Sequence, residues 1–291
     1  ILIYMKKLIA KLIGAFLNVT APITPKWNAN YGFKLLCRVR RVGISERGKQ
    51  FLATATTQFI EADGHTAALH RWGNGPKKIL FLHGWMSNSQ RWQPYVSKID
   101  LNEYTVYALD APGHGLAKGN QLNIETFRKT MLQAIDLAGA VDTLVCHSLG
   151  SLVGAYAFLV DTKIAIGSYV IMGTPTGMGA IFSYFKELLG LSNKTMKNLS
   201  VKVNAVLKIP YEEINMERFL KKVDVPVLVV HDRNDSITPF PPIENSIERK
   251  DQIEKLITNG LKHDLKSEEV YDRVIQFIDE KSFTSRRTHS A

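Results

Sequence analysis

Five short apolar runs, each ending in small, histidine or acidic residues, set the strongest limit on how this chain can fold. They are "KKILFLHG", "YTVYALD", "DTLVCHS", "GSYVIMGTP" and "VPVLVVHD". Each is continuous rather than alternating, as expected of a strand covered on both faces. Helix-like segments separate them: Asn88 to Ile99, Asn123 to Ala138, and one that begins at Leu149. Strands alternating with helices imply a mostly parallel sheet with helices on both sides. Ahead of these runs, "TTQFIEADGHTAALHRW" places two strand-like segments around Asp63-Gly64, a strong hairpin signal. After them, "QIEKLIT" resumes the alternation and "SEEVYDRVIQFIDE" makes a last amphipathic helix.

The stretch from Thr176 to Lys222 breaks this rhythm. Its pieces "IFSYFKELLG" and "TMKNLSVKVNAVLK" are helical, and no strand of the central type lies among them. It reads as an insertion over one end of the sheet. The closing "KSFTSRRTHSA" reads as frayed. The chain thus divides into an N-terminal amphipathic helix with a basic extension (1–56), a core in two parts (57–175 and 223–282), a helical cap insertion (176–222) and a flexible tail (283–291).

The N-terminal part carries its own pattern. Met5 is the expected start, with "ILIY" an artefact of gene calling. From Lys7, the polar or small residues Lys7, Lys11, Gly14 and Asn18 share one side of a helix; Leu8, Ile9, Leu12, Ile13, Phe16 and Leu17 fill the other. Lys11 interrupts the apolar run that a secretory signal needs, and no stretch is long enough to span a bilayer. Such a helix either packs on its own domain or lies along a membrane surface.

The basic stretch "KLLCRVRRVGISERGK" follows, with Lys34, Arg38, Arg40, Arg41, Arg47 and Lys49 against Glu46 alone. It supplies part of the net charge of +10 and fits a solvated face or a contact with anionic lipid. No helix-turn-helix, zinc-finger or RNA-binding signature accompanies it, which argues against a nucleic-acid partner. Cys37 and Cys146 lack metal-ligand spacing. They read as free thiols in a reducing, cytoplasmic setting, with one long-range disulfide as the alternative.

In an open α/β sheet, functional groups gather at the carboxyl ends of the strands. Those ends carry His83-Gly84-Trp85, Asp110 to Gly115, His147-Ser148-Leu149-Gly150, Gly173-Thr174-Pro175, Asp232 to Asp235 and His263. A serine hydroxyl is a poor nucleophile unless a base takes its proton and a third group orients that base. Ser148 stands at a strand-to-helix turn, and Leu149 opens the helix, where the backbone N–H favours negative charge. The turn needs small residues two places either side of the serine. Gly150 meets that need, and Cys146 is small enough to meet it on the other side. A serine that merely caps the helix is the plain alternative.

Five motifs in order, "LHGW", "DAPGHG", "CHSLGS", "HDRNDSITP" and "NGLKHDL", resemble the α/β-hydrolase fold over roughly residues 57 to 280. The resemblance implies an eight-stranded, mostly parallel sheet flanked by helices, with a small helical cap. It also implies acyl chemistry: Ser148 attacks, His263 is the base, Asp235 orients it, and the N–H groups of Trp85 and Leu149 form the oxyanion hole. Asp235 is preferred to Asp232 because "Ser-Ile-Thr-Pro" follows it. Asp110, the third contender, is expected to brace the "PGHG" turn, and His231, His147 and His114 to play supporting parts. A serine at the elbow separates the chain from relatives that use aspartate or cysteine there.

The expectation is a cofactor- and metal-free serine hydrolase of small or medium carboxylic esters, with Phe182, Tyr184, Phe185, Leu188 and Leu189 lining a capped cleft. An acyltransferase, thioesterase or peptidase on the same residues is the near rival. A non-catalytic binding protein of this fold is the distant one.

Overall fold

The computed structural model describes residues 2–247 and 253–288. Its strands are β1 (Thr56–Ala62), β2 (His65–Trp72), β3 (Lys77–Leu82), β4 (Tyr104–Asp110), β5 (Thr143–His147), β6 (Tyr169–Met172), β7 (Val227–Asp232) and β8 (Ile253–Thr258). They form one sheet in the order β1-β2-β4-β3-β5-β6-β7-β8. β2 runs antiparallel to both neighbours, and every other pair is parallel. Asp63 and Gly64 turn the first hairpin with φ of 51° and 74°, the left-handed geometry a two-residue turn requires. Gln252, the first residue of the expected last strand, lies outside the described residues.

The helices are α1 (Leu2–Ile23), α2 (Pro25–Leu36), α3 (Glu46–Ala53), α4 (Gln93–Val96), α5 (Ile124–Ala138), α6 (Leu149–Val160), α7 (Met178–Leu189), α8 (Asn193–Asn204), α9 (Met216–Lys222), α10 (Pro241–Ile247) and α11 (Glu268–Thr288). Period-two side chains feed two cores, one on each face of the sheet. Leu80 and Leu82 of β3 join Leu144 and Cys146 of β5 beneath α5 and α6. Ile79 and Phe81 join Val145, Trp92 and the α11 residues Val274 and Phe277 on the other face. This two-sided burial is why the central strands read as unbroken apolar runs. Three helices, α7, α8 and α9, lie between β6 and β7.

Both ends of the chain add helices to this core. α11 runs on to Thr288, so the described part of the expected tail is helical; residues 289–291 lie outside the described residues. The basic extension is partly helical. It contains α2, and α3 capped by Ser45, whose hydroxyl accepts the Gly48 N–H.

α1 packs against α7 and α8. Its small and polar stripe faces the protein. Lys11 donates to the Glu187 carbonyl, Asn18 donates to that of Gly190, and the Asn18 side-chain oxygen accepts from the Ser192 N–H at 2.7 Å. A Cβ on Gly14 would come within 1.8 Å of the Leu189 carbonyl oxygen, so this contact needs glycine. Leu17 and Ala21 are buried beside that stripe, while Leu8, Ile9, Leu12 and Phe16 are exposed.

Candidate active site

Ser148 sits between the end of β5 and the start of α6 with φ 53° and ψ −119°. A non-glycine residue held there costs about 1–3 kcal/mol, which the surroundings must supply. Part of the restraint is the Ser148 N–H, which donates to the Met172 carbonyl of β6 at 2.8 Å. The sharp turn brings α6 back against β3. A Cβ on Gly150 would lie 2.5 Å from the Leu82 carbonyl oxygen, so glycine is required at that position. The Ser148 side chain is left partly exposed at the carboxyl edge.

His263 reaches that edge from a short 3-10 turn, Lys262–Asp264, between β8 and α11. Its Nε2 lies 3.0 Å from Ser148 Oγ, and its Nδ1 lies 2.8 Å from Asp235 Oδ2. Asp235 is buried and accepts from four donors. The Ile237 and Thr238 N–H groups reach Oδ1 at 2.8 and 2.9 Å, and the Thr238 hydroxyl reaches Oδ2 at 2.7 Å beside His263. Burial alone would raise this carboxyl, but the hydrogen bonds from His263 and Thr238 outweigh it and hold the pKa at about 2. The carboxylate is therefore charged wherever the histidine needs a partner.

The two other acids serve elsewhere. Asp232 ties the β7 end to the loop leading to His263: it accepts from the Thr258 hydroxyl at 2.7 Å and the Leu261 N–H at 2.9 Å. Asp110 accepts from His70, from the Ser89 N–H and from the Leu116 N–H, and so braces the "PGHG" turn. Asp264 is exposed.

Leu149 is the first residue of α6, so its N–H has no carbonyl one turn back to bond and stands beside Ser148. Trp85 follows Gly84, where a Cβ would lie 2.7 Å from the Ser148 Cβ. His83 Nδ1 donates to the Gly84 carbonyl at 2.7 Å, and its Nε2 accepts the Ala111 N–H at 3.1 Å. The peptide bonds are trans among the described residues. Fixing the Gly84 carbonyl therefore also fixes the opposite direction of the Trp85 N–H.

His114 works on the same loop, donating from Nδ1 to Pro112 and accepting the Met86 N–H on Nε2 at 3.2 Å. His147 donates from Nε2 to the His263 carbonyl at 2.8 Å. Burial lowers the pKa of all three: His114 to about 3, His147 well below the ordinary value, and His83 in the same direction. They are neutral struts that position backbone.

Thr238 and His83 are positioning groups that the motifs alone do not assign. The signal for Thr238 was present, since it stands before the proline in "SITP"; that for His83 needed the three-dimensional contact with Gly84. The cap residues depart from expectation. Phe182, Phe185 and Leu189 turn into the core, while Tyr184 and Leu188 are exposed. The stripe at 178, 182, 185 and 189 is the buried side of an amphipathic helix, with Phe182 stacked on Tyr211 at 4.3 Å. A cavity of about 750 Å³ lies between α7, α8 and α10, and none of Ser148, Asp235 and His263 borders it. Among the described residues no group of three or more His, Cys, Asp or Glu side chains is placed to hold a metal ion.

Similar proteins place this architecture. An esterase from a Rhodococcus species superposes with a TM-score of 0.57 at 17% identity, over 78% of this chain and 98% of that one. A bromoperoxidase from Bacillus anthracis gives 0.59 at 18% identity, over 77% and 99%. At these identities the likeness is one of fold. By sequence, the dihydrolipoyllysine-residue acetyltransferase component of the acetoin cleaving system of Cupriavidus necator is 30% identical over 141 residues. That match takes in 46% of this chain and only 36% of the relative, so the chain spans about a third of that protein's length. The sequence profile of the alpha/beta hydrolase family matches residues 79–243, from β3 through the strand that precedes Asp235 and on into α10. With more than half of its length matched and the eight-stranded sheet in place, the chain belongs to the alpha/beta hydrolase family.

Proposed function

We propose that the protein is a serine hydrolase that cleaves carboxylic esters through an acyl-enzyme. The observation that carries this reading is the hydrogen-bonded chain from Asp235 through His263 to Ser148, which stands on a left-handed turn at a helix N-terminus. In this mechanism the Ser148 oxygen attacks the ester carbonyl carbon while His263 Nε2 takes the hydroxyl proton. Negative charge moves to the carbonyl oxygen, where the N–H groups of Trp85 and Leu149 would receive it. The carbon–oxygen bond to the alcohol then breaks, and the alcohol leaves with the proton held by His263. Water repeats the sequence on the acyl-enzyme, with His263 again as base, and releases the acid and free Ser148.

A fluorophosphonate probe tests the nucleophile directly. The intact protein should be labelled and Ser148→Ala should not; an unlabelled wild type or a labelled variant overturns the reading. Acyl length is then read from p-nitrophenyl esters of increasing chain length. Transfer to an acceptor other than water is the second reading, favoured by the acetyltransferase name of the Cupriavidus relative. Ester, thioester and amide substrates, with and without added thiol or alcohol acceptors, separate the two.

A further inference from the structure

The outward face of α1 presents Met5, Leu8, Ile9, Leu12, Phe16, Val19 and Ile23, each more than half exposed. At 100° per residue these seven fall within about a third of the helix circumference. The opposite face is fixed to α7 and α8 through Lys11, Gly14 and Asn18, so the apolar stripe cannot turn inward. α2 extends the patch. Trp27, 44% exposed, meets Phe16 edge-on at 5.8 Å and stacks on Tyr31 at 5.0 Å. Lys34, seven residues on from Trp27, shares its side of α2, and both Lys26 and Lys34 are exposed.

Charge identifies what covers this face. Residues 1–45 contain no acidic residue; their cations are Lys6, Lys7, Lys26, Lys34, Arg38 and Arg40, besides Lys11 and Arg41, which bond carbonyl groups of the protein itself. A second copy docked here would bring two such segments together, whereas an anionic surface is complementary to them. An indole at the edge of an apolar stripe with lysines beside it is suited to a boundary between headgroups and acyl chains. No helix among the described residues is long and apolar enough to cross a membrane, and α1 is held sideways by the cap. We propose that α1 and the Trp27 side of α2 form a docking surface for an anionic bilayer, with α1 lying flat and its apolar stripe below the headgroups. The cap helices α7 and α8 then stand on the helix that touches the lipid. The proposal is independent of the chemistry at Ser148.

Flotation of the full chain with vesicles of phosphatidylcholine, with and without phosphatidylglycerol, tests it. Binding is expected with the anionic vesicles at low salt. Leu12→Glu/Phe16→Glu, which alters only exposed side chains, should lower it by about tenfold or more. Lys26→Glu/Lys34→Glu should weaken binding severalfold and reduce its salt dependence. Ser148→Ala should float as wild type does, whatever its activity. A wild type that does not float at low salt overturns the proposal, as does equal flotation of all variants. Sedimentation equilibrium adds one more outcome: a lipid-free dimer that Leu12→Glu/Phe16→Glu dissociates would make this face a self-association surface and sink the lipid assignment.

Discussion

Gly150 lies against the Leu82 carbonyl so closely that a Cβ would come within 2.5 Å of the oxygen, and within 2.8 Å of that of His83. Both obstacles are backbone and cannot rotate away. On the other side of the elbow, Cys146 is fully buried yet accommodated, because the residue facing it on α6 is Gly154. A Cβ on Gly154 would stand 3.3 Å from the Cys146 sulfur. The two positions flanking Ser148 are therefore unequal: one excludes any side chain, and the other has room because its neighbour is small.

Gly150→Ala should consequently displace the elbow, and is expected to abolish fluorophosphonate labelling or soluble expression. Cys146→Gly should keep labelling at the wild-type rate while losing about 1–2 kcal/mol of stability, from the lost core atoms and the extra freedom of glycine in a strand. Labelling rate and urea midpoint measured together check both. Loss of labelling in a folded Cys146→Gly protein would contradict this account of the turn.

The unbroken apolar runs, the Asp63-Gly64 turn and the chain order of Ser148, Asp235 and His263 were legible in the sequence because they depend on local pattern and position. What was hidden depends on who faces whom. Arg41 read as one more surface cation, yet its guanidinium donates to the carbonyls of His114, Gly115, Ala117 and Gly119 and holds that loop. The sidedness of α1 was hidden for a related reason. The pattern separates a small and polar side from an apolar one without saying which packs inward; small residues allow the closest helix contact, and the structure uses them so. The pairing of His70 with Asp110 joins neighbouring strands forty residues apart, and no spacing rule carries it.

Asp235 and Asp232 should separate cleanly by function. Asp235→Asn removes the carboxylate beside His263 Nδ1, and kcat for an ester substrate should fall by about 10⁴-fold with the fold retained. Asp232→Asn leaves that contact in place but weakens the bonds to Thr258 and Leu261. Its main effect should be a lower Tm with a much smaller loss of kcat. Steady-state kinetics beside thermal melts decide between the two; equal kcat losses would make Asp232 part of the proton relay.

His83 holds the Gly84 carbonyl and, through the peptide plane, aims the Trp85 N–H. His83→Phe keeps the bulk of the ring and removes both hydrogen bonds. The expected result is a fall in kcat of about 10²-fold, the usual effect of losing one oxyanion donor, with KM nearly unchanged. Because Ser148 and His263 are untouched, the pH dependence of the remaining activity should keep its wild-type shape. An unchanged kcat would contradict the proposed oxyanion role of the Trp85 N–H.

The neutral histidine struts make stability depend on pH well above the carboxylate range. Burial lowers the pKa of His83, His147 and His231, and brings His114 to about 3, from an ordinary value near 6.5. In each case the unfolded chain binds a proton that the folded chain refuses. Their contribution is therefore complete above about pH 6.5 and is lost progressively as pH falls below it, for His114 down to about 3. Protonated His114 would also set a second donor against the Met86 N–H that its Nε2 now accepts. The depressed carboxyl of Asp235 acts in the same direction but lower, between about pH 4 and 2. The urea midpoint should fall steadily between pH 7 and 5. Replacing one strut, as in His114→Gln, should lower stability at pH 7 but flatten the slope by up to about 1.4 kcal/mol per pH unit. A wild-type midpoint constant from pH 7 to 5 would show that these histidines do not titrate on unfolding as buried neutral groups must.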